Sequence, residues 1–197
     1  GYIMSNGTLG IELNSEDFSH IEKFRQALQA ESEVKIYNKN STFGPQQTAR
    51  FIITSKATFI PHLLKYYGSL NKTEEGKFPI LPNHLMNHCV RGFFDGDGSL
   101  AGAPKTNDKL WRPQISFIGR EETLQTIVDL SGFEWTWSQR HPERINDNWQ
   151  INIGRVNDSL AFLDYMYDGA TVYLDRKYKK YQDLLQNRHH LKAKARV

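Results

Sequence analysis

The sequence predicts an α+β protein built as two copies of one unit, and two observations carry that expectation. An apolar helical stripe runs directly into two carboxylates spaced by glycines, Asp95-Gly96-Asp97-Gly98. The order of strand-like and helix-like stretches before it is met again after it, which implies two pseudo-symmetric halves of helix-strand-strand-helix-strand-strand-helix pattern.

In the first half, Leu9, Ile11 and Leu13 alternate with polar or small neighbours, as a half-buried strand does. Asn14 or Ser15 suits the cap of a helix whose buried face is Phe18, Ile21, Phe24 and Leu28. Val34 and Ile36 predict a second strand and Phe51 and Ile53 a third, with a polar hairpin loop from Asn38 to Gln47 between them. A helical run through Phe59, Leu63, Leu64 and Tyr67 ends at Gly68, and Pro61 disturbs its early part.

The second half opens on Leu85, Met86, Cys89, Val90, Phe93 and Phe94, adjacent apolar pairs every four residues and so one buried stripe of a helix starting near Pro82 and Asn83. Gly92 costs about 1 kcal/mol against Ala in mid-helix, which predicts a close backbone approach there. Gly96 and Gly98 stop the helix and leave Asp97 displayed beside carbonyls that have no partner inside it, a combination that attracts a hard cation. Ile115 and Phe117 then predict a strand, and Leu124, Ile127 and Val128 a helix. Trp135 and Trp137 predict a strand that turns through His141 to Asn148 and returns along Trp149, Ile151 and Ile153. Leu160, Leu163 and Met166 predict the last repeated helix.

Composition narrows the class. At 197 residues and 39% hydrophobic content the chain can form one generous domain or two small ones. The lone Cys89 excludes a disulfide framework and a cysteine zinc site. No apolar run approaches the roughly 20 residues of a membrane span, and no signal peptide is visible, so a soluble intracellular protein is expected, with the organelle or the bacterial or phage cytoplasm left open. A net charge of +3 is mild for a nucleic-acid binder, which makes placement of charge matter more than its total. From Arg176 to Val197 eight Lys/Arg face one acid, Asp183, a pattern that fits a solvated helix face and adds phosphate attraction.

An Asp-Gly-Asp-Gly stretch by itself is commonly a turn. A calcium loop of the EF-hand type is excluded, since the sixth and twelfth positions from Asp95 hold Leu100 and Thr106. Arg91-Gly92-Phe93-Phe94-Asp95-Gly96-Asp97-Gly98 resembles the signature of the LAGLIDADG homing endonucleases, Gly-aliphatic-aliphatic-Asp-small-Asp-Gly. Family members with two copies carry the first at the start of a repeated domain, and Gly1 to Leu9 lines up with Gly92 to Leu100 without a gap. On that alignment the chain opens inside its first motif, and Asn6 stands where the family has its metal-binding Asp, 91 positions before Asp97.

The resemblance covers roughly residues 1 to 185. It implies a first repeat over 1–81 and a second over 82–197, motif helices packed at the centre, and antiparallel sheets forming a saddle over duplex DNA. It implies a monomeric, site-specific endonuclease for a long non-palindromic double-stranded target, needing no protein partner and no membrane. Mg2+ is the implied cofactor, with Mn2+ or Ca2+ able to substitute for binding. Asp97 with the Gly96 carbonyl would hold one metal half-site, and Asn6 with the Ser5 carbonyl the other. A neutral Asn in place of an acid would weaken metal binding, so an uncut-complex variant, a nickase or a decayed binding domain is expected. The alternative is a non-cleaving DNA-binding module or an intron-RNA maturase. Lys72 and Lys177 resemble the basic residues that family members place beside the nucleophilic water, with Arg176 as a competitor for the second role. Strand alternation sets Lys35, Tyr37, Thr48, Arg50, Gln114, Ser116, Thr136, Ser138, Gln150 and Asn152 opposite the apolar set, as donors and acceptors for base edges.

Overall fold

A computed structural model describes residues 2–4, 8–41, 44–53, 61, 63, 65–66, 78–79, 81–102, 113–140 and 149–186. The chain divides into two compact units, Gly1–Glu75 with Thr171–Asp175, and Gly76–Ala170 with Arg176–Val197.

The first unit contains β1 (Tyr2–Ile3), β2 (Leu9–Asn14), a 3-10 turn (Ser15–Asp17), α1 (Phe18–Ala27), β3 (Lys35–Ser41) and β4 (Gly44–Ile53). They form a four-stranded antiparallel sheet in the order β1-β2-β4-β3. The Asn14 side chain accepts from the Glu16 N–H at 3.0 Å, which satisfies a donor that the turn leaves open and starts α1 where the sequence predicts. Ile21 of α1 packs on Ala49, Phe51 and Ile53, with Leu9, Ile11 and Leu13 of β2 around them. Residues i and i+2 of each strand thus face the helix and their neighbours face away.

In the polar segment Asn38 to Gln47, expected as a loop, residues 38–41 and 44–47 are strand, paired from Asn38↔Gln47 to Ser41↔Gly44. β3 and β4 form a ribbon beyond the end of β2, where no core demands apolar residues. Pro45 is tolerated there because β2 reaches only to Thr48, so its missing N–H removes no bond to a third strand. Pro61, Leu63, Lys65 and Tyr66, within the run expected from Phe59 to Tyr67, are helical.

The second unit contains α2 (Asn83–Asp97), β5 (Gly98–Ala101), β6 (Gln114–Gly119), α3 (Glu121–Ser131), β7 (Thr136–Gln139), β8 (Trp149–Ile153), α4 (Val156–Tyr167) and α5 (Asp175–Gln186). Its antiparallel sheet has the order β5-β6-β8-β7, the first sheet's order again. Phe117 of β6 is fully buried and meets Phe93, Phe94, Trp135 and Phe162, with ring centroids 5.7 to 6.1 Å apart. α2 runs through Gly96 and stops only at Gly98, which is extended at φ −84°, ψ 166°. The close approach expected at Gly92 is not found among the described residues, for a Cβ there would meet nothing within 4 Å.

The ladders match the two sheets in a register different from that of the alignment of Gly1–Leu9 on Gly92–Leu100. Leu9 pairs with Ile53 in one sheet as Ile115 pairs with Ile153 in the other, so β2 corresponds to β6. Tyr2 and Ile3 pair with Gly10 and Leu9, and Ser99 and Leu100 pair with Ser116 and Ile115, so β1 corresponds to β5 and Tyr2 to Ser99. Between β1 and β2, Met4 N–H donates to Thr8 O at 2.8 Å.

Phe117→Ala should lower the unfolding free energy by about 3 to 5 kcal/mol through the cavity it leaves among four aromatic rings. Urea denaturation measures this, and a loss under about 1 kcal/mol would show that the ring cluster is not central to the fold.

Candidate functional site

The C-terminal end of α2 combines an exposed acid with a buried base. Asp97, the last helical residue, is exposed, whereas Asp95 one turn-face away is buried. The helix has to close here on carbonyls that lack partners within it. Lys177 of α5, only 4% exposed, supplies them. Its ammonium donates to Phe94 O, to Asp95 O at 3.1 Å and to Gly98 O at 2.6 Å, and lies 4.6 Å from the Phe94 ring centroid. A cation at a helix C-terminus is favoured by the partial charge of those carbonyls. Lys177, expected beside a nucleophilic water, is thus spent on backbone at both sides of Asp97 in the chain. Gly98 adds a second lock, because a Cβ there would lie 2.5 Å from the Phe94 ring and 2.8 Å from its carbonyl.

Upstream on α2, Arg91 is buried and donates to Met166 O of α4 at 3.0 Å and to His88 Nδ1 at 2.7 Å. Sequence reasoning passed over Arg91, though a charged residue inside an apolar stripe at Cys89-Val90-Arg91 is the visible signal. Burial, and next the Arg91 guanidinium, push the His88 imidazole below its ordinary value. Asn6, Ser5 and Lys72 lie outside the described residues, and Arg176 is exposed on the first turn of α5.

The ten expected base-reading residues fall on two sheet faces. Lys35 pairs with Arg50 and Tyr37 with Thr48, which places these four on the side of the first sheet away from α1. Arg50 lies over the Tyr37 ring at 5.8 Å, at the edge of a recess of about 340 Å³ that Lys35 also lines. In the second sheet, Ser116 and Thr136 both pair with Asn152, and Ser138 with Gln150, opposite the buried Ile151 and Ile153, and Gln114 shares that face of β6 by alternation. Gln150 donates to Asn152 Oδ1 at 2.8 Å. Glu12, which the sequence did not single out, sits on the first of these faces opposite Arg50 and is ion-paired to Lys39. Its carboxyl is held below the ordinary range by Lys39 first, with Thr48 and Arg50 adding to the effect. Among the described residues no group of three or more His, Cys, Asp or Glu could hold a metal by itself.

Solved structures share this architecture. I-GzeII in complex with its DNA target aligns over 94% of this chain and 83% of its own at 12% identity, with a TM-score of 0.60. The fold is that of a LAGLIDADG homing endonuclease. The meganuclease I-SmaMI bound to uncleaveable DNA aligns over 94% and 82% at 12% identity and TM-score 0.59, and the homing endonuclease I-LtrWI bound to target DNA over 94% and 82% at 12% identity and 0.53. No family model matches the sequence, and no curated protein matches it. In the homing-endonuclease fold of this chain, no described helix is long and apolar enough to cross a membrane.

Lys177→Met keeps the aliphatic stem and removes the three donors, so unfolding free energy should fall by about 1.5 to 3 kcal/mol and the Gly98 amide should exchange faster with solvent. Unchanged exchange at Gly98 would mean that the ammonium does not hold the helix end. Because the folded His88 imidazole resists protonation, the unfolded chain takes up the proton first, and stability should fall as pH drops below about 6.5. Thermal unfolding of His88→Phe against the parent across pH 5 to 8 should show a shallower decline in the variant.

Proposed function

We propose that this chain is a site-specific DNA endonuclease of the LAGLIDADG homing type, acting as a monomer on a long non-palindromic duplex. The observation that carries the proposal is Asp97, an exposed carboxylate fixed at the end of a buried helix, in a fold whose solved relatives are bound to DNA. Two sheets of equal strand order carry different polar residues, which suits two unequal half-sites read by the 1–81 and 82–197 repeats.

The donors at the α2 end are oxygens only, the Asp97 carboxylate and the Gly96 carbonyl, which fits a hard cation such as Mg2+ and not zinc. A structure of I-SmaMI with uncleaved DNA was obtained in the presence of calcium ions, another hard cation. When bound, such an ion activates water and neutralises charge on the leaving oxygen. Lys177 keeps the last turn of α2 from fraying and so fixes where the Asp97 carboxylate points. One carboxylate beside a buried ammonium is a weak cation site, so phosphate oxygens of the duplex should complete it. Lys35, Tyr37, Thr48 and Arg50 on one face, and the Gln, Ser, Thr and Asn set on the other, supply donors and acceptors to base edges.

Asn6, outside the described residues, carries no step of this reading. Among the described residues no group of three or more His, Cys, Asp or Glu comes together, which favours a second reading, a binding module on the same scaffold that does not cut, and magnesium-dependent cleavage of a duplex selected from a randomised pool separates the two.

Asp97→Asn should abolish cleavage by the chain while DNA affinity stays within about tenfold, since phosphate and base contacts survive an isosteric change. Continued cleavage would remove Asp97 from the chemistry. Arg50→Ala should weaken binding by about 1 to 3 kcal/mol and relax preference at one or two adjacent base pairs, whereas a loss spread evenly over all sequences would make Arg50 a phosphate contact.

A further inference from the structure

Glu12 is an acid set into the middle of a face that the proposed function turns toward a polyanion. Only 18% of its side chain is exposed, and it pairs with the Lys39 ammonium across a long diagonal. Along β4, Glu12 stands opposite Arg50 and Lys39 opposite Gln46, with the Thr48 pair between them. Lys39, half exposed on the ribbon, therefore reaches back along the face instead of outward.

Two considerations point beyond a purely structural reason for the acid. The Lys39 end of the pair is half exposed, which screens the attraction, and an extended lysine loses rotamer freedom to make it. The second sheet also builds the same ladder without it, for the positions of Glu12 and Arg50 there hold Ile118 and Gln150. An acid on a DNA-facing surface opposes phosphate, so what it can offer is rejection of wrong sequences.

We infer that Glu12 is a specificity-determining residue: it keeps Lys39 from phosphate and presents a carboxylate that accepts only from a base edge carrying a donor, cytosine N4 or adenine N6. The inference rests on the duplex-binding reading above. A guanine or thymine presenting O6, N7 or O4 at that place would set acceptor against acceptor, with Arg50 and Lys35 beside it to read the neighbouring pair. The asymmetry between Glu12 and Ile118 confines this discrimination to one half of the target.

The test uses the full chain, a duplex it selects from a randomised pool, and an unrelated duplex of equal length, with affinities measured over a range of salt. Glu12→Gln should bind the unrelated duplex several-fold more tightly, steepen the dependence of log affinity on log salt by about 0.9 as Lys39 gains a phosphate, and cut the preference for the selected duplex by about tenfold. Lys39→Ala alone should leave the salt slope of the parent unchanged, and added to Glu12→Gln it should return the slope to the parent value. Since Lys39→Ala removes only an exposed side chain, that arm stands even where Glu12→Gln disturbs β2. An unchanged slope and preference in Glu12→Gln, or a shallower slope in Lys39→Ala alone, overturns the inference. Failure of the parent chain to bind any duplex in a salt-dependent way overturns the duplex-binding reading itself, a result distinct from either.

Discussion

An α-helix that ends inside a packed domain has carbonyls that it cannot satisfy from within, and the second unit is arranged around one such end. α2 has to finish beneath α5 and pass straight into β5, so a donor from elsewhere in the unit has to serve Phe94, Asp95 and Gly98. The buried Lys177 ammonium does so, with the Phe94 ring beneath it. The absence of a Cβ at Gly98 lets the chain turn against Phe94 without collision. From that closure follow the direction of β5, the pairing of Gly98 with Phe117, and the exposure of Asp97 at the last helical position. The acid is displayed because everything around its backbone is held.

The same economy of positions governs the sheets. Each strand gives alternate residues to its helix and the rest to the open face, so one apolar pattern builds the core and the recognition surface together. In the first unit the ribbon of β3 and β4 extends past β2, and its outer residues are free of any demand from the core. That is where Lys39 can be recruited to Glu12 and where Tyr37 and Arg50 can stack. The second sheet keeps the ladder and changes the chemistry, with amide and hydroxyl groups bonded among themselves, as Gln150 is to Asn152 and Thr136 to the Asn152 carbonyl. Near-neutral faces of this kind agree with the mild net charge of +3, since they favour contacts to base edges over a uniform grip on phosphate.

Buried polar residues in α2 serve orientation. Arg91 ties the helix to the last turn of α4 through Met166 O and takes His88 as a further acceptor. Such a guanidinium is expensive to desolvate, and the carbonyl and the nearby Asp95 offset part of that cost. Rotation of α2 about its axis would break the bond to Met166 O. The helix end therefore inherits its orientation from interactions one and two turns upstream.

What the sequence determined by itself was local. Alternation at Leu9, Ile11 and Leu13, and at Ile115 and Phe117, and the paired stripe from Leu85 to Phe94, reported strands, helices and their buried faces, because periodicity follows directly from backbone geometry. The open faces followed from the same parity, and Asp97 from the glycines around it. Everything that needed a partner distant in the chain was decided by tertiary structure. In the polar run from Asn38 to Gln47, residues 38–41 and 44–47 are strand only because each half supplies the other's hydrogen bonds. Lys177 and Phe94, and Glu12 and Lys39, meet only through packing, and no spacing rule brings them together. The correspondence of β1 with β5 has the same origin. Two short glycine-rich stretches look alike residue by residue, but only the ladders Tyr2↔Gly10 and Ser99↔Ser116 show which strand each precedes, since register is a property of paired chains and not of one.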